Sequence, residues 1–84
     1  MSTGIMEERL LVALGTDAAL AAAGCAAEAG DTIGIIVRRG PHYRGAWYWH
    51  RDTFSFTPAG YSESTCNART IDEALALTRQ LALK

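Results

Sequence analysis

The chain has 84 residues, a formal net charge of −1 and 49% hydrophobic residues, the size of one domain with a thin core and the composition of a folded rather than a disordered chain. Two cysteines, Cys25 and Cys66, are too few for the disulfide framework of a secreted mini-protein. No charged start with an apolar run and cleavage site marks secretion, and no apolar run approaches the roughly 18 residues of a membrane span, so a cytoplasmic protein with free thiols and no membrane association is expected.

Leu10, Leu11 and Leu14 share one face at helical spacing behind Glu7, Glu8 and Arg9, which predicts a short helix over Met6–Leu14. A strand over Leu10–Leu14 is the alternative for so short an apolar run. Gly15 interrupts, Thr16 or Asp17 offers an N-cap oxygen, and the alanine-rich run Asp17–Ala29 predicts a second helix or a continuation of the first. Gly30 is its natural stop. The N-terminal segment, residues 1–31, is therefore expected to be helical.

The pattern then changes to strand. Ile33, Ile35 and Val37 alternate with Gly34, Ile36 and Arg38, and β-branched residues dominate. Gly40-Pro41 opens a loop through Gly45. In a second strand over Ala46–Arg51, Trp47 and Trp49 point one way and Tyr48 and His50 the other. Phe54 and Phe56 alternate with Ser55 and Thr57 in a third strand, closed by Pro58 and Gly60. After a polar stretch, Ser62–Arg69, Thr70 and Glu73 form a capping box for a helix over residues 70–83, with Ile71, Ala74, Leu75, Thr78, Leu81 and Ala82 as its buried stripe. The expected fold is α+β in the order α(α)-β-β-β-α: a single domain, 1–84, with a three-stranded antiparallel meander over 32–61 and helices packed on one of its faces.

Little in this inventory can do chemistry. Cys25, His42, His50 and Cys66 are the only soft metal ligands, and their separations lack the short steps that pin a zinc site. Cys66 lies in a polar loop near a helix start, but activation of a thiol needs a base that is not identifiable. Ser62 and Ser64 lie in no nucleophile elbow, and the glycines form neither a P-loop nor a dinucleotide fingerprint. No catalytic residue, metal or cofactor is expected.

Charge is unevenly spread. Residues 1–32 carry five acidic side chains against Arg9, whereas residues 33–69 carry Arg38, Arg39, Arg44, Arg51 and Arg69 against Asp52 and Glu63. The middle arginines accompany Tyr43, Trp47, Tyr48 and Trp49, a mixture that suits single-stranded nucleic acid. The element order also resembles that of double-stranded RNA-binding domains. That family grips phosphates with lysines at the start of its last helix, whereas this helix begins Thr70-Ile71-Asp72-Glu73 and the chain's one lysine is Lys84. Aromatics and arginines are equally the residue types enriched at protein-binding hot spots. The primary expectation is a small non-enzymatic module that binds a protein partner, or a second copy of itself, through its sheet face or edge. The candidate contact residues are Arg38, Tyr43, Arg44, Tyr48, His50 and Arg51. Nucleic-acid binding and a thiol-based redox role for Cys66 are the alternatives.

Residues 45–81 resemble the antitoxin domain of the HicB family. The matching pieces are Gly45-Ala46-Trp47-Tyr48, Pro58-Ala59-Gly60-Tyr61 and Thr70-Ile71-Asp72-Glu73-Ala74-Leu75, and the strand Ile33–Arg38 matches the family's first strand. The chain departs from the family in the helical residues ahead of the sheet, in keeping only Asp52 of the acidic residues after the second strand, and in a longer segment between Tyr61 and Thr70. The resemblance implies a toxin-neutralising, partner-binding role of bacterial or phage origin.

Overall fold

The computed structural model describes residues 2–30 and 34–82, and side chains over 5–30 and 34–81. In chain order the elements are α1 (Ser2–Thr16), α2 (Ala18–Ala22), β1 (Cys25–Ala29), β2 (Ile35–Arg39), β3 (His42–His50), β4 (Thr53–Pro58), β5 (Cys66–Ala68) and α3 (Ile71–Ala82). The strands form one five-stranded sheet in the order β1-β2-β3-β4-β5, antiparallel at every step.

The α+β class stands, and the three-stranded meander becomes five strands. The first added strand comes out of the alanine run expected to be helical. Leu10–Leu14 lie within α1, which passes through Gly15 and ends at Thr16. Asp17, extended at ψ 121°, then caps α2 by accepting the Leu20 amide at 3.0 Å. Gly24, at φ +81°, stops that helix after five residues, in the left-handed position that favours glycine. Beyond it, Cys25–Ala29 pairs with Ile35–Arg39. Alanine's helix propensity amounts to a few tenths of a kcal/mol per residue, and a full strand ladder overrides it. Gly30 stops no helix; its amide donates to the Gly34 carbonyl within the β1–β2 connection.

The second addition, β5, hides in the polar stretch before α3. Three residues are too short for a periodic signal, yet Cys66 and Ala68 turn inward beside Phe56 and Phe54. Elsewhere the boundaries move. The expected strand start at Thr32–Ile33, the helical end at Asp31 and the last helical residue Leu83 lie outside the described residues. The expected loop over 40–45 is a two-residue turn, Gly40-Pro41, and β3 begins at His42. Half of the capping box forms as expected, the Glu73 amide donating to Thr70 Oγ1, while Glu73 Oε1 accepts from the amide of Arg69, one residue before the cap, each at 3.1 Å.

One alternation set of the sheet builds the core. Ile35 and Val37, Trp47, Phe54 and Phe56, and Ala68 meet Leu10, Leu14, Leu20 and Ala74 from the helices, with Cys25, Ala27 and Trp49 at the margin. Trp47 is wholly buried between Phe56, at 5.0 Å between ring centroids, and Phe54, at 6.2 Å and edge-on. Burying side chains of this size contributes about 1.5–3 kcal/mol each.

Candidate functional site

The pleat divides β3 as its alternation requires. Trp47 and Trp49 face the core, and Trp49 packs on Phe54 at 4.6 Å. Tyr48 and His50 face the other way. The register aligns this second side across the sheet: Glu28 opposes Ile36, Ile36 opposes Ala46, Ala46 opposes Thr57, Tyr48 opposes Ser55, and Ser55 opposes Asn67. The result is a surface with a half-buried apolar and aromatic middle, Ile36 and Tyr48 over the buried Ala46, and a border of Thr53, Ser55, Thr57 and Asn67. On its β1 side Arg38 Nε donates to Glu28 Oε1 at 2.5 Å.

Tyr48 holds its place because residue 34 is glycine. A Cβ built there would lie 2.6 Å from Tyr48 Cε1, and Gly34 has φ +89°. The ring therefore packs close against a bare stretch of backbone, which is how a sheet covers a glycine with a cross-strand aromatic.

Four of the six expected contact residues fall on this face: Arg38, Tyr43, Tyr48 and His50. Tyr43 reaches it through an irregularity. Val37 opposes Gly45 but Arg38 opposes Tyr43, so β3 carries one extra residue, Arg44. The bulge turns Arg44 away from that face, towards α3, where its guanidinium donates to the Leu81 carbonyl at 3.1 Å. A cation on the last carbonyls of a helix suits both their free lone pairs and the helix dipole. Arg51 lies in the β3–β4 turn, exposed and with φ +51°. The reading of the sequence omitted Thr53, Ser55, Thr57, Asn67 and Glu28. The first three were legible as partners of the inward Phe54 and Phe56; Asn67 and Glu28 required β5 and β1.

The remaining candidate chemistry is dispersed. Cys25 and Cys66 are free and half-buried on the two opposite edge strands, four strand spacings or about 19 Å across the sheet and offset by four residues along it. Among the described residues no three of His, Cys, Asp and Glu gather as a metal site would need. A cleft of about 370 Å³ beside the end of α3 is lined by Arg44, Phe56, Pro58, Ala59, Tyr61, Thr65 and Leu81. It presents neither a carboxylate nor an imidazole for general acid–base work. Among the described residues two titrations are perturbed, at the N-cap of α2 and on α3. Hydrogen bonds from Arg79 and from the Leu20 amide hold the Asp17 carboxyl below its ordinary range, and Asp17 raises Arg79. Among the described residues no helix is long and apolar enough to cross a membrane. No family model matches the chain, no curated protein matches its sequence, and no solved structure matches it.

Proposed function

We propose that the protein is a non-enzymatic binding module that acts on a protein partner through the sheet face carrying Ile36, Arg38, Tyr43, Tyr48 and His50, in the manner of a small inhibitor or antitoxin, and that it self-associates. The observation that carries the reading is the Tyr48 ring, packed against Gly34 on the central strand, on the face opposite the one that builds the core cluster. A tyrosine held by backbone packing loses little further entropy on binding, and tyrosine and arginine are the side chains that anchor interfaces.

Nucleic acid is the less favoured partner because phosphate attraction needs concentrated positive charge. Arg38 is paired with Glu28, Arg44 is spent on Leu81, and Arg44 and Arg51 stand at opposite ends of β3, roughly 20 Å apart by strand rise.

The test is affinity capture with the tagged chain from extracts of its source cells, the bound protein being identified by mass spectrometry. Tyr48→Ala and Arg38→Glu are each expected to release it while circular dichroism and melting show a folded chain. Retention of the partner by both variants overturns the reading. So does a low-salt shift of oligonucleotides that Arg51→Ala weakens.

A further inference from the structure

The two edges of the sheet differ. β5 is three residues long, whereas β1 runs for five, with Ala26, Glu28 and Ala29 exposed. The Gly40 amide donates to the Gly24 carbonyl and the Gly30 amide to the Gly34 carbonyl, each at 2.9 Å. Hydrogen-bonded pairs alternate along an antiparallel ladder. The even-numbered residues of β1 therefore turn their backbone groups to β2, and Cys25, Ala27 and Ala29 turn theirs outward. Among the described residues those outward amides and carbonyls meet no partner. Nor does β1 carry a lysine, a proline or a bulge, the usual guards of an edge. Its one charged side chain, Glu28, is paired with Arg38 on the neighbouring strand. An open ladder of this kind takes an extended strand.

The charges select a second copy of the same strand. A two-fold interface must be self-complementary. With an antiparallel pair of β1 strands about an axis at Ala27, Ala27 opposes its own copy, Cys25 the second copy's Ala29, and Ala26 the second copy's Glu28. The whole strand is then used, with roughly six backbone hydrogen bonds. On the face that carries Tyr48, Arg38 lies beside Ala26. The row continues across the axis as Arg38, Ala26 and the second copy's Glu28. Arg38 and that glutamate are two strand spacings apart, about 10 Å between Cα atoms, and only an alanine methyl stands between them. The two-fold repeats the row, so each Arg38 has its own Glu28 on the diagonal and the second copy's Glu28 in line. Neighbouring registers lack this match. An axis at Ala26 puts both Arg38 side chains in one row with no glutamate, and an axis at Glu28 sets two glutamates directly opposite, which is destabilising.

We infer that β1 pairs antiparallel with β1 of a second copy about a two-fold axis at Ala27, joining the two sheets into one. The inference names the surface for the self-association in the proposed function and rests on that part of the reading alone. One short strand pair is a small interface, so the dimer is weak and concentration-dependent. The axis relating two antiparallel strands runs perpendicular to their sheet, so both Tyr48 faces end on the same side. The assembly presents one doubled contact surface.

Sedimentation and hydrogen exchange of the whole chain at low salt, from about 10 µM to about 1 mM, span the affinities expected of so small an interface. The wild type is expected to pass from monomer to dimer. The Ala27 and Ala29 amides should gain severalfold protection with concentration, while those of Ala26 and Glu28, bonded to β2, stay slow throughout. Ala27→Pro removes an outward donor and no β2 bond, a change an edge strand tolerates, and is expected to stay folded and monomeric. Glu28→Arg and Arg38→Glu are each expected to weaken the homodimer about tenfold. Mixed one to one, these two variants are expected to form a heterodimer, because an all-basic edge then meets an all-acidic one. An ion pair that acts only within the chain gives no such rescue. A wild type monomeric throughout overturns both this inference and the self-association in the reading. A dimer whose Ala27 and Ala29 amides gain no protection, or one that Ala27→Pro leaves intact, overturns this inference alone.

Discussion

The indole Nε1–H of Trp47, on the central strand, donates to Thr78 Oγ1 on α3 at 2.8 Å, and the threonine hydroxyl donates in turn to the Ala74 carbonyl at 2.7 Å. Both side chains are 1% exposed or less. A buried tryptophan N–H needs an acceptor, and the hydroxyl supplies one where an aliphatic residue of the same shape could not. Thr78→Val keeps the volume and removes the acceptor. It is expected to cost about 1–3 kcal/mol in urea denaturation, the range for a buried donor left unsatisfied. Thr78→Ser keeps the acceptor, so the indole proton should retain its wild-type chemical shift there and lose it in Thr78→Val.

Asp17 ties the helices together in the same core. It caps α2 through the Leu20 amide and accepts from the Arg79 guanidinium on α3, with Nε 3.1 Å from Oδ1. The arginine contacts first, and the amide second, depress its carboxyl pKa. A carboxyl depressed in the folded state adds stability above its unfolded pKa and loses it as pH falls through the folded value. Wild-type stability should therefore drop as pH falls below about 4, the unfolded carboxylate range. Asp17→Asn should be less stable at neutral pH and lack that part of the acid drop. Denaturation midpoints collected from neutral pH down to about pH 2 span both regimes. Parallel profiles for the two proteins would remove Asp17 from the acid response.

What was legible in the sequence followed from residues whose neighbours along the chain decide their state. The α3 capping box and the inward Trp47, Phe54 and Phe56 need only local periodicity. β1 could not be read that way. Cys25-Ala26-Ala27-Glu28-Ala29 has the composition of a helix, and it is a strand because Arg39 to Ile35 lie alongside it. Of the candidate surface, Tyr48 and His50 follow from the pleat, whereas Arg44, expected in a loop, lies in β3 at a one-residue bulge that turns it towards α3. The Asp17–Arg79 pair spans 62 positions, and nothing local announces it.

The β3–β4 hairpin turns on Arg51 and Asp52, at φ +51° and +61°, between the paired residues His50 and Thr53. Two left-handed residues in a two-residue loop make the turn that asparagine-glycine serves best. Neither residue here is glycine, and each left-handed side chain costs about 1 kcal/mol or more. Replacing the pair with Asn-Gly is therefore expected to stabilise the protein by about 1 kcal/mol. The check is a higher urea midpoint with an unchanged slope; a lower midpoint would mean that the Arg51 or Asp52 side chain contributes more than the strain it carries.

Glu7 is the fastening between α1 and the end of the β2–β3 ladder. Its Oε1 accepts the Gly34 amide and its Oε2 the Trp49 amide, each at 3.0 Å. The described pairing of β2 with β3 stops at Ile35 and Trp47, so the carboxylate takes over two backbone donors where the ladder ends. Only an ionised carboxylate presents acceptors to both at once; the amide of glutamine turns a donor towards one of them. Glu7→Gln is therefore expected to cost about 1–3 kcal/mol, as for a charge-assisted bond lost with its partner left part-buried. Hydrogen exchange at the Gly34 and Trp49 amides reads the effect directly, and at least one should lose protection. Glu8→Gln, one position along on the exposed side of α1, leaves both amides protected. Equal protection in Glu7→Gln and wild type would mean that the strands hold those amides without the helix.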